Sequence, residues 1–150
     1  MSDTRQVFED YSFQIVEKLF EEKGGELGKL TAEEQEVVRI WRLEADMYNG
    51  GFIQFFCNWG YDNFTATQQV LQKIKAEKSL AIITECEQMI AKAKNDPAVK
   101  AYWDIPKVLP NYLNETEMQR LDELDELYWE NPDDIQQLAY IAYLAASETS

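Results

Sequence analysis

Residues 48–60 read YNGGFIQFFCNWG, and this stretch decides the fold. Asparagine and glycine tolerate the left-handed backbone conformation, so residues 49–51 allow a sharp turn between two helices. From residue 52 onward, aromatic side chains recur on one helical stripe, and each buries roughly 150–250 Å² when it is packed in a core. The stretch therefore predicts a core corner, made of a turn at Asn49, Gly50 and Gly51 and a short helix packed through Phe52, Phe55, Phe56 and Trp59.

Two functional interpretations of this stretch fit its residues poorly. A phosphate-binding loop requires GxxxxGK[ST] or GxGxxG after a strand, and neither pattern occurs here. A nucleophilic cysteine requires an activating base or a nearby positive charge. The chain contains no histidine, and no lysine or arginine stands within ten positions of Cys57. The corner is therefore interpreted as structural.

The rest of the chain is predicted to be helical, with no convincing strand. Apolar residues recur at helical spacing, glycines at 24–25 end the first helix, and Thr31 and Glu34 form a capping box for the second. Three of the four prolines lie in residues 97–110, which predicts a connector, and Pro132 suits the first turn of the last helix. The predicted helices cover about residues 4–23, 31–49, a short segment from 52, 63–76, 78–94, 115–130 and a segment after 132.

The predicted fold class is all-α, a single compact domain of about seven helices. It spans residues 1–150, a length that buries most of its apolar surface in one core, with 1–25 as an additional N-terminal helix. No run of 18 apolar residues occurs and the N-terminus does not resemble a signal peptide, so no membrane segment is expected. Cys57 and Cys86 lack zinc or redox spacing, so we expect free thiols, a cytoplasmic location, no metal and no cofactor.

The charge of the chain indicates what kind of partner it has. Twenty-eight acidic residues against 14 basic ones give a formal net charge of −14. Such a field repels nucleic acid and anionic membranes and attracts basic partners. Residues 108–150 carry 10 acidic residues and a single basic one, Arg120. A basic protein is the expected partner, and direct binding to nucleic acid or to a membrane is not expected.

The acidic residues are densest between Glu115 and Asp134, where nine carboxylates stand. On a helix this is about one per 3.3 Å, close to the phosphate spacing of about 3.4 Å along one DNA strand. Like charges one turn apart destabilise a helix by about 0.2–0.5 kcal/mol per pair, so their clustering favours a basic partner. A merely solvated face is the alternative. The predicted partner-binding residues are Asp122, Glu123, Glu126, Glu130, Asp133 and Asp134.

Two further carboxylates, Glu44 and Asp125, fall among apolar residues on the predicted inward sides of their helices. A buried carboxylate is costly unless it is hydrogen-bonded. The N–H groups of Gly51 and Phe52 open the short helix and need acceptors. We expect Glu44, Asp125 or both to cap that helix. A carboxylate pair that shares a proton, as in acid–base enzymes, is the functional alternative.

The last predicted helix has two apolar faces. One face, expected to point inward, carries Ile135, Leu138, Ile141, Ala142 and Ala145, and the opposite face carries Tyr140, Tyr143 and Leu144. Either the helix is sandwiched within the domain, or the second face contacts another chain as an oligomer interface.

The corner also carries a family resemblance. Glu44, Asn49-Gly50-Gly51-Phe52, Gln54, Phe56, Asn58 and Gly60 resemble the NGGF-x-QFF-x-N signature of a bacterial helical family, and residues 124–128 are similar to its "LD…Y" helix. This family was long catalogued as a domain of unknown function and is now named for a DNA-mimic protein (DMP-nineteen-like). The resemblance covers about residues 30–145 and implies an all-α fold. Its characterised member is an acidic dimer that occupies the DNA-binding face of a transcription factor, so a homodimer is a further expectation.

These observations predict a non-enzymatic, acidic interaction protein, a DNA mimic that occupies the DNA-binding surface of a basic protein. An immunity or antitoxin-like inhibitor of a basic toxin, such as a nuclease, would use the same acidic face and is the alternative. A hydrolase or metal enzyme built on Glu44 and Asp125 is less favoured, because the chain has no histidine, no phosphate loop and no acidic metal motif.

Overall fold

The computed structural model describes residues 3–146, and within them the chain forms seven α-helices and no strand. The all-α prediction is confirmed. Residues 1–2 and 147–150 of the predicted domain lie outside the described residues. The helices are α1 (Thr4–Glu21), α2 (Ala32–Asn49), α3 (Phe52–Lys73), α4 (Glu77–Ile90), α5 (Ile105–Val108), α6 (Glu115–Trp129) and α7 (Ile135–Tyr143).

Buried apolar residues from all seven helices join in one cluster. The most extensive contacts between elements are those of α2 with α3, of α1 with α7, and of α4 with α6. The core therefore receives side chains from α1 as well as from the α2–α3 pair and the helices that follow it. Helix α2 begins with the predicted capping box, in which Thr31 accepts from the Glu34 N–H and Glu34 accepts from the Thr31 N–H.

The corner between α2 and α3 is built as the sequence predicts. Gly51 has a φ of 101°, a conformation that favours glycine, and α3 begins at the next residue. Phe52 is 1% exposed and its ring meets the ring of Phe64 edge-on, with the centroids 5.7 Å apart. One part of the prediction is wrong: Trp59 is 37% exposed, because its indole N–H donates to Asp46 at the surface.

Helix α3 contains both of the helices predicted for this part of the chain. The sequence predicts a short helix from Phe52 and a second one over residues 63–76, and α3 consists of two helical segments joined at Gly60, whose backbone is not helical. Gly60 has a φ of 82° and lies under the ring of Tyr102, where an added Cβ would come within 2.6 Å of a ring carbon. Glycine is therefore required twice here, for the backbone angle and for the close approach.

The predicted connector over residues 97–110 is more regular than expected. It contains a 3₁₀ turn at Tyr102–Asp104, then α5, then a second 3₁₀ turn at Leu109–Asn111. Ile105 and Leu109 are buried in the core, and this apolar anchoring organises a segment in which proline spacing suggests only irregular chain. Other boundaries differ slightly: α1 ends at Glu21 instead of residue 23, and α4 ends at Ile90 instead of residue 94.

Helix α7 buries residues from both of its predicted faces. Ile135 of the expected inward face is 1% exposed, but Ile141 of that face is 56% exposed and Ala142 is exposed as well. Tyr140 and Tyr143 of the opposite face are 8% and 7% exposed. The ring of Tyr143 stacks on Phe8 of α1 at 6.4 Å, and its hydroxyl donates to Glu36 of α2. The tyrosines take the inner side because their rings pack against α1 while the Tyr143 hydroxyl finds a partner. The burial of these two tyrosines agrees with the first alternative, a helix sandwiched within the domain, and Leu144 is half-buried beside them.

Candidate functional site

The outer face of α6 carries four exposed carboxylates, which we call the acidic ridge. Helix α6 begins with a capping box between Asn114 and Glu117 and is held to the core through Leu121, Leu124 and Tyr128. This inward stripe fixes the rotation of the helix, so the residues on the opposite side of the helix face solvent. The acidic ridge consists of Asp122, Glu123, Glu126 and Glu130, all of which are exposed.

Little positive charge relieves the ridge. Arg120 forms a two-pronged ion pair with Glu85 of α4, at 2.7 and 3.0 Å, and reaches Glu123 at 3.3 Å. These hydrogen bonds raise the pKa of the Arg120 guanidinium above its usual range, and the same contact lowers the pKa of Glu85. Among the described residues, no lysine or arginine forms an ion pair with Asp122, Glu126 or Glu130. The ridge therefore presents uncompensated negative charge to solvent.

Two of the six predicted partner-binding residues have roles inside the molecule. Asp133 accepts from the backbone N–H of Ser79 at 2.6 Å, in the first turn of α4. Asp134 pairs with Arg5 of α1 through contacts of 2.6–2.9 Å, and this pairing lowers the pKa of the Asp134 carboxyl. Both side chains are half-buried, so the structure separates them from the acidic ridge.

Asp125 faces inward from the same helix and caps α3. Its Oδ1 accepts from the Phe52 N–H at 2.9 Å, so the structure shows the predicted cap. An added Cβ on Gly51 would collide with this carboxylate, which therefore fills the space that the glycine leaves. Burial raises the pKa of Asp125, and the Phe52 N–H partly opposes that shift. This carboxylate belongs to the architecture of the corner.

Glu44 does not cap α3, so Asp125 alone of the two expected carboxylates forms the cap. The carboxylate of Glu44 accepts from the Tyr128 hydroxyl at 2.5 Å and from the Gln136 side-chain amide at 3.2 Å. Burial raises the pKa of Glu44 to about 7, because neither donor carries a charge that would stabilise the ionised form. Glu44 and Asp125 have separate partners and do not share a proton, so the enzyme hypothesis loses its carboxylate pair.

Nucleophilic chemistry at Cys57 is also disfavoured by its surroundings. The thiol is 5% exposed and donates to the backbone carbonyl of Tyr102 at 3.2 Å. Burial raises the pKa of Cys57 to about 11, which keeps the thiol protonated at neutral pH. Within residues 3–146, no three metal-ligating side chains are grouped closely enough to hold an ion.

A polar network around Asp46 explains the remaining residues of the corner motif, and sequence reasoning missed it. Asp46 accepts from Gln54, Asn58 and Trp59, at 2.8, 3.2 and 2.6 Å. Arg42 lies 3.9 Å over the ring of Trp59, as a cation–π contact. The i, i+4 and i+5 spacing of polar residues after the turn is the only sequence signal for this network. The motif thus describes how α2 joins α3.

Comparison with known proteins identifies the family of this chain. No helix in the described part of the chain is long and apolar enough to cross a membrane. No curated protein and no solved structure matches the chain. The model of the DMP19-like protein family matches residues 28–147, which include the corner, the acidic ridge and α7. Membership of this family, which is generally non-enzymatic, implies a DNA-mimic protein. The chain belongs to the DMP19-like protein family.

Proposed function

We propose that this chain is a non-enzymatic DNA mimic whose acidic ridge occupies the DNA-binding surface of a basic protein, such as a transcription factor. The observation that carries the proposal is the row of exposed carboxylates on α6, of which only Glu123 forms an ion pair in the described chain. Residues 122–130 span about 12 Å of helix, so the four ridge carboxylates follow one another at about 1.5, 4.5 and 6 Å along the axis, about 4 Å on average. A DNA strand presents one phosphate about every 3.4 Å.

The energetics of α6 support the same proposal. Asp122 and Glu126, and Glu126 and Glu130, are like-charged pairs one turn apart, and each pair costs about 0.2–0.5 kcal/mol. The packing of α6 in the core does not depend on which residues occupy these exposed positions. Interspersed lysines would give the same solubility without the repulsion. A basic partner offsets this repulsion, because its positively charged side chains supply the counter-charges that the ridge lacks.

Competition with DNA tests the proposal. A basic protein captured from the source cells at low salt is identified, purified and titrated with this chain in the presence of its own duplex DNA. We expect the two ligands to exclude each other, and we expect the affinity for this chain to fall steeply with added salt. A ternary complex with DNA, or an affinity that salt leaves unchanged, contradicts the proposal.

A homodimer and a cytoplasmic location remain part of this proposal. The two cysteines are free and buried, which fits a reducing compartment. With Tyr140 and Tyr143 in the core, a dimer would use other exposed apolar side chains. Sedimentation of the wild type measures its oligomeric state directly.

A further inference from the structure

A cavity of about 300 Å³ lies between α1, α2 and α7, and the ridge carboxylates of α6 do not line it. Four aromatic residues contribute to its walls, and two of them stand at the mouth: Phe13 is 50% exposed and Tyr48 is 48% exposed. Phe8 and Trp41 complete the aromatic lining. An aromatic cavity of this kind attracts organic cations through the negative faces of the rings.

Three polar side chains of this cavity, those of Glu9, Glu44 and Gln136, offer acceptors without a cation. Glu9 and Glu44 both line it, and neither forms an ion pair with any residue between 3 and 146. The side-chain amide N–H of Gln136 donates to Glu44, and the Oε1 atom of Gln136 is buried without a hydrogen-bond donor in the described chain. A buried acceptor without a donor is costly, so the site is suited to a ligand that donates hydrogen bonds.

We propose that this cavity binds an aliphatic ammonium group. Its N–H bonds are donated to the carboxylates of Glu44 and Glu9 and to Oε1 of Gln136, while its methylene chain lies against the rings of Phe13 and Tyr48. The volume is at the small end of ligand sites and accommodates a chain of about four carbons, the length of a lysine side chain.

Other ligand classes fit this chemistry less well. Two carboxylates and an amide oxygen repel an anion, and a neutral alcohol leaves both charges without a counter-ion. A hydrated metal ion prefers three or more ligating side chains, which are not grouped here in the described residues. Aromatic walls favour a weakly hydrated organic cation over such an ion.

Proton release accompanies binding at this site. The pKa of Glu44 lies at about 7, raised by burial and by the charge of Glu9 on α1. The other groups that face its carboxyl are the hydroxyl of Tyr128 from α6, the amide of Gln136 from α7 and the hydroxyl of Tyr48 from α2. Because the ammonium stabilises the ionised form of Glu44, affinity falls as the pH drops below about 7.

The test is a calorimetric titration of the full chain with n-butylammonium chloride at pH 8, with 1-butanol and sodium butyrate as controls. We expect saturable binding of the ammonium at about 1 mM or tighter and none of either control. Glu9→Gln and Phe13→Ala should each weaken binding about fivefold to tenfold. The matched variants Glu17→Gln and Phe20→Ala, on exposed positions of the same helix, should leave it unchanged. Equal binding of 1-butanol, or equal effects of Glu17→Gln and Glu9→Gln, overturns the proposal.

Two further probes distinguish the source of the ammonium. A lysine blocked at both its amino and carboxyl ends represents a side chain of a partner protein, and 1,4-diaminobutane represents a free polyamine. Saturable binding of either one supports the site, and the tighter one identifies its class. Binding of neither probe overturns the proposal. Charge reversal on the acidic ridge should leave both affinities unchanged, so this inference and the proposed function fail independently.

Discussion

Asp125 and Asp122 lie one turn apart on α6, and their side chains lie in different surroundings. Asp125 points inward and accepts a hydrogen bond from the first N–H of α3, whereas Asp122 points outward and has no ion-pair partner in the described chain. The residue type is the same, and the rotation of the helix sets the difference. A carboxylate on this helix is therefore structural or available to a partner according to the face that it occupies.

The largest effect on the free energy of unfolding is expected at Gly51, in the corner between α2 and α3. Gly51→Ala adds a Cβ at a φ of 101° and drives it into the Asp125 carboxylate, so the free energy of unfolding should fall by about 3–5 kcal/mol. Gly28→Ala is the matched control, because nothing lies within 4 Å of its added Cβ. Urea denaturation of both variants measures the difference, and equal midpoints would mean that the corner is not the constraint described here.

Glu44 should make stability depend on pH in an unusual direction. A carboxyl whose folded pKa of about 7 exceeds its unfolded value of 4.5 holds its proton longer in the folded state. The stabilisation that this difference in pKa provides is fully present below pH 4.5. It is lost as the pH rises through 7, and the free energy of unfolding falls by up to about 3 kcal/mol in total. Glu44→Gln cannot titrate, so its stability relative to the wild type should rise between pH 5 and pH 8. Parallel melting curves for both proteins across that range would contradict this assignment.

Asp125→Ala and Asp122→Ala compare the two faces of α6 directly. Removal of the inner carboxylate leaves the Phe52 N–H without its acceptor and should cost about 1–3 kcal/mol. Removal of the outer one should change the free energy of unfolding by less than about 0.5 kcal/mol. Chemical denaturation at neutral pH gives both values, and a loss at Asp122 as large as that at Asp125 would show that the ridge is structural.

The smallest effect is expected within the ridge itself. Glu126→Gln removes three like-charge repulsions, with Asp122, Glu123 and Glu130, and should raise the free energy of unfolding by about 0.6–1.5 kcal/mol at low salt. The gain should shrink in about 1 M salt, where such charges are screened. Thermal melts at the two salt concentrations measure it, and a destabilised variant would indicate an unseen cation at this position.

Sequence reasoning reached the corner because its signals are local. Glycine at a turn, aromatic residues on one stripe and a carboxylate on an apolar face each report their own environment, so the Asp125 cap follows from them. Nothing local distinguishes Glu44 from Asp125, so the sequence leaves open which of the two forms the cap. The actual partners of Glu44, Tyr128 and Gln136, come from helices more than 80 positions away. Helical periodicity does not show which residues of helices distant in sequence come into contact.

Helix α7 and the acidic ridge show the same limit. Both sides of α7 are apolar, so its periodicity could not decide which side is buried, and the packing of Tyr143 on Phe8 decided it. In the acidic segment, density predicted the surface charge correctly at Asp122 and Glu126. Density alone could not reveal that Asp133 and Asp134 are bonded to Ser79 and Arg5, because those partners lie in other helices.

Paired charge reversals measure most directly whether the function of this protein lies on the ridge. One variant combines Asp122→Lys, Glu123→Lys and Glu126→Lys, and the other combines Glu17→Lys, Glu21→Lys and Glu22→Lys on the exposed side of α1. Both alter the net charge equally, so only position differs. The ridge variant should lose at least about 100-fold in affinity for the basic partner, with the α1 variant within about threefold of the wild type. Equal losses in the two variants, or no loss in the first, would contradict the account.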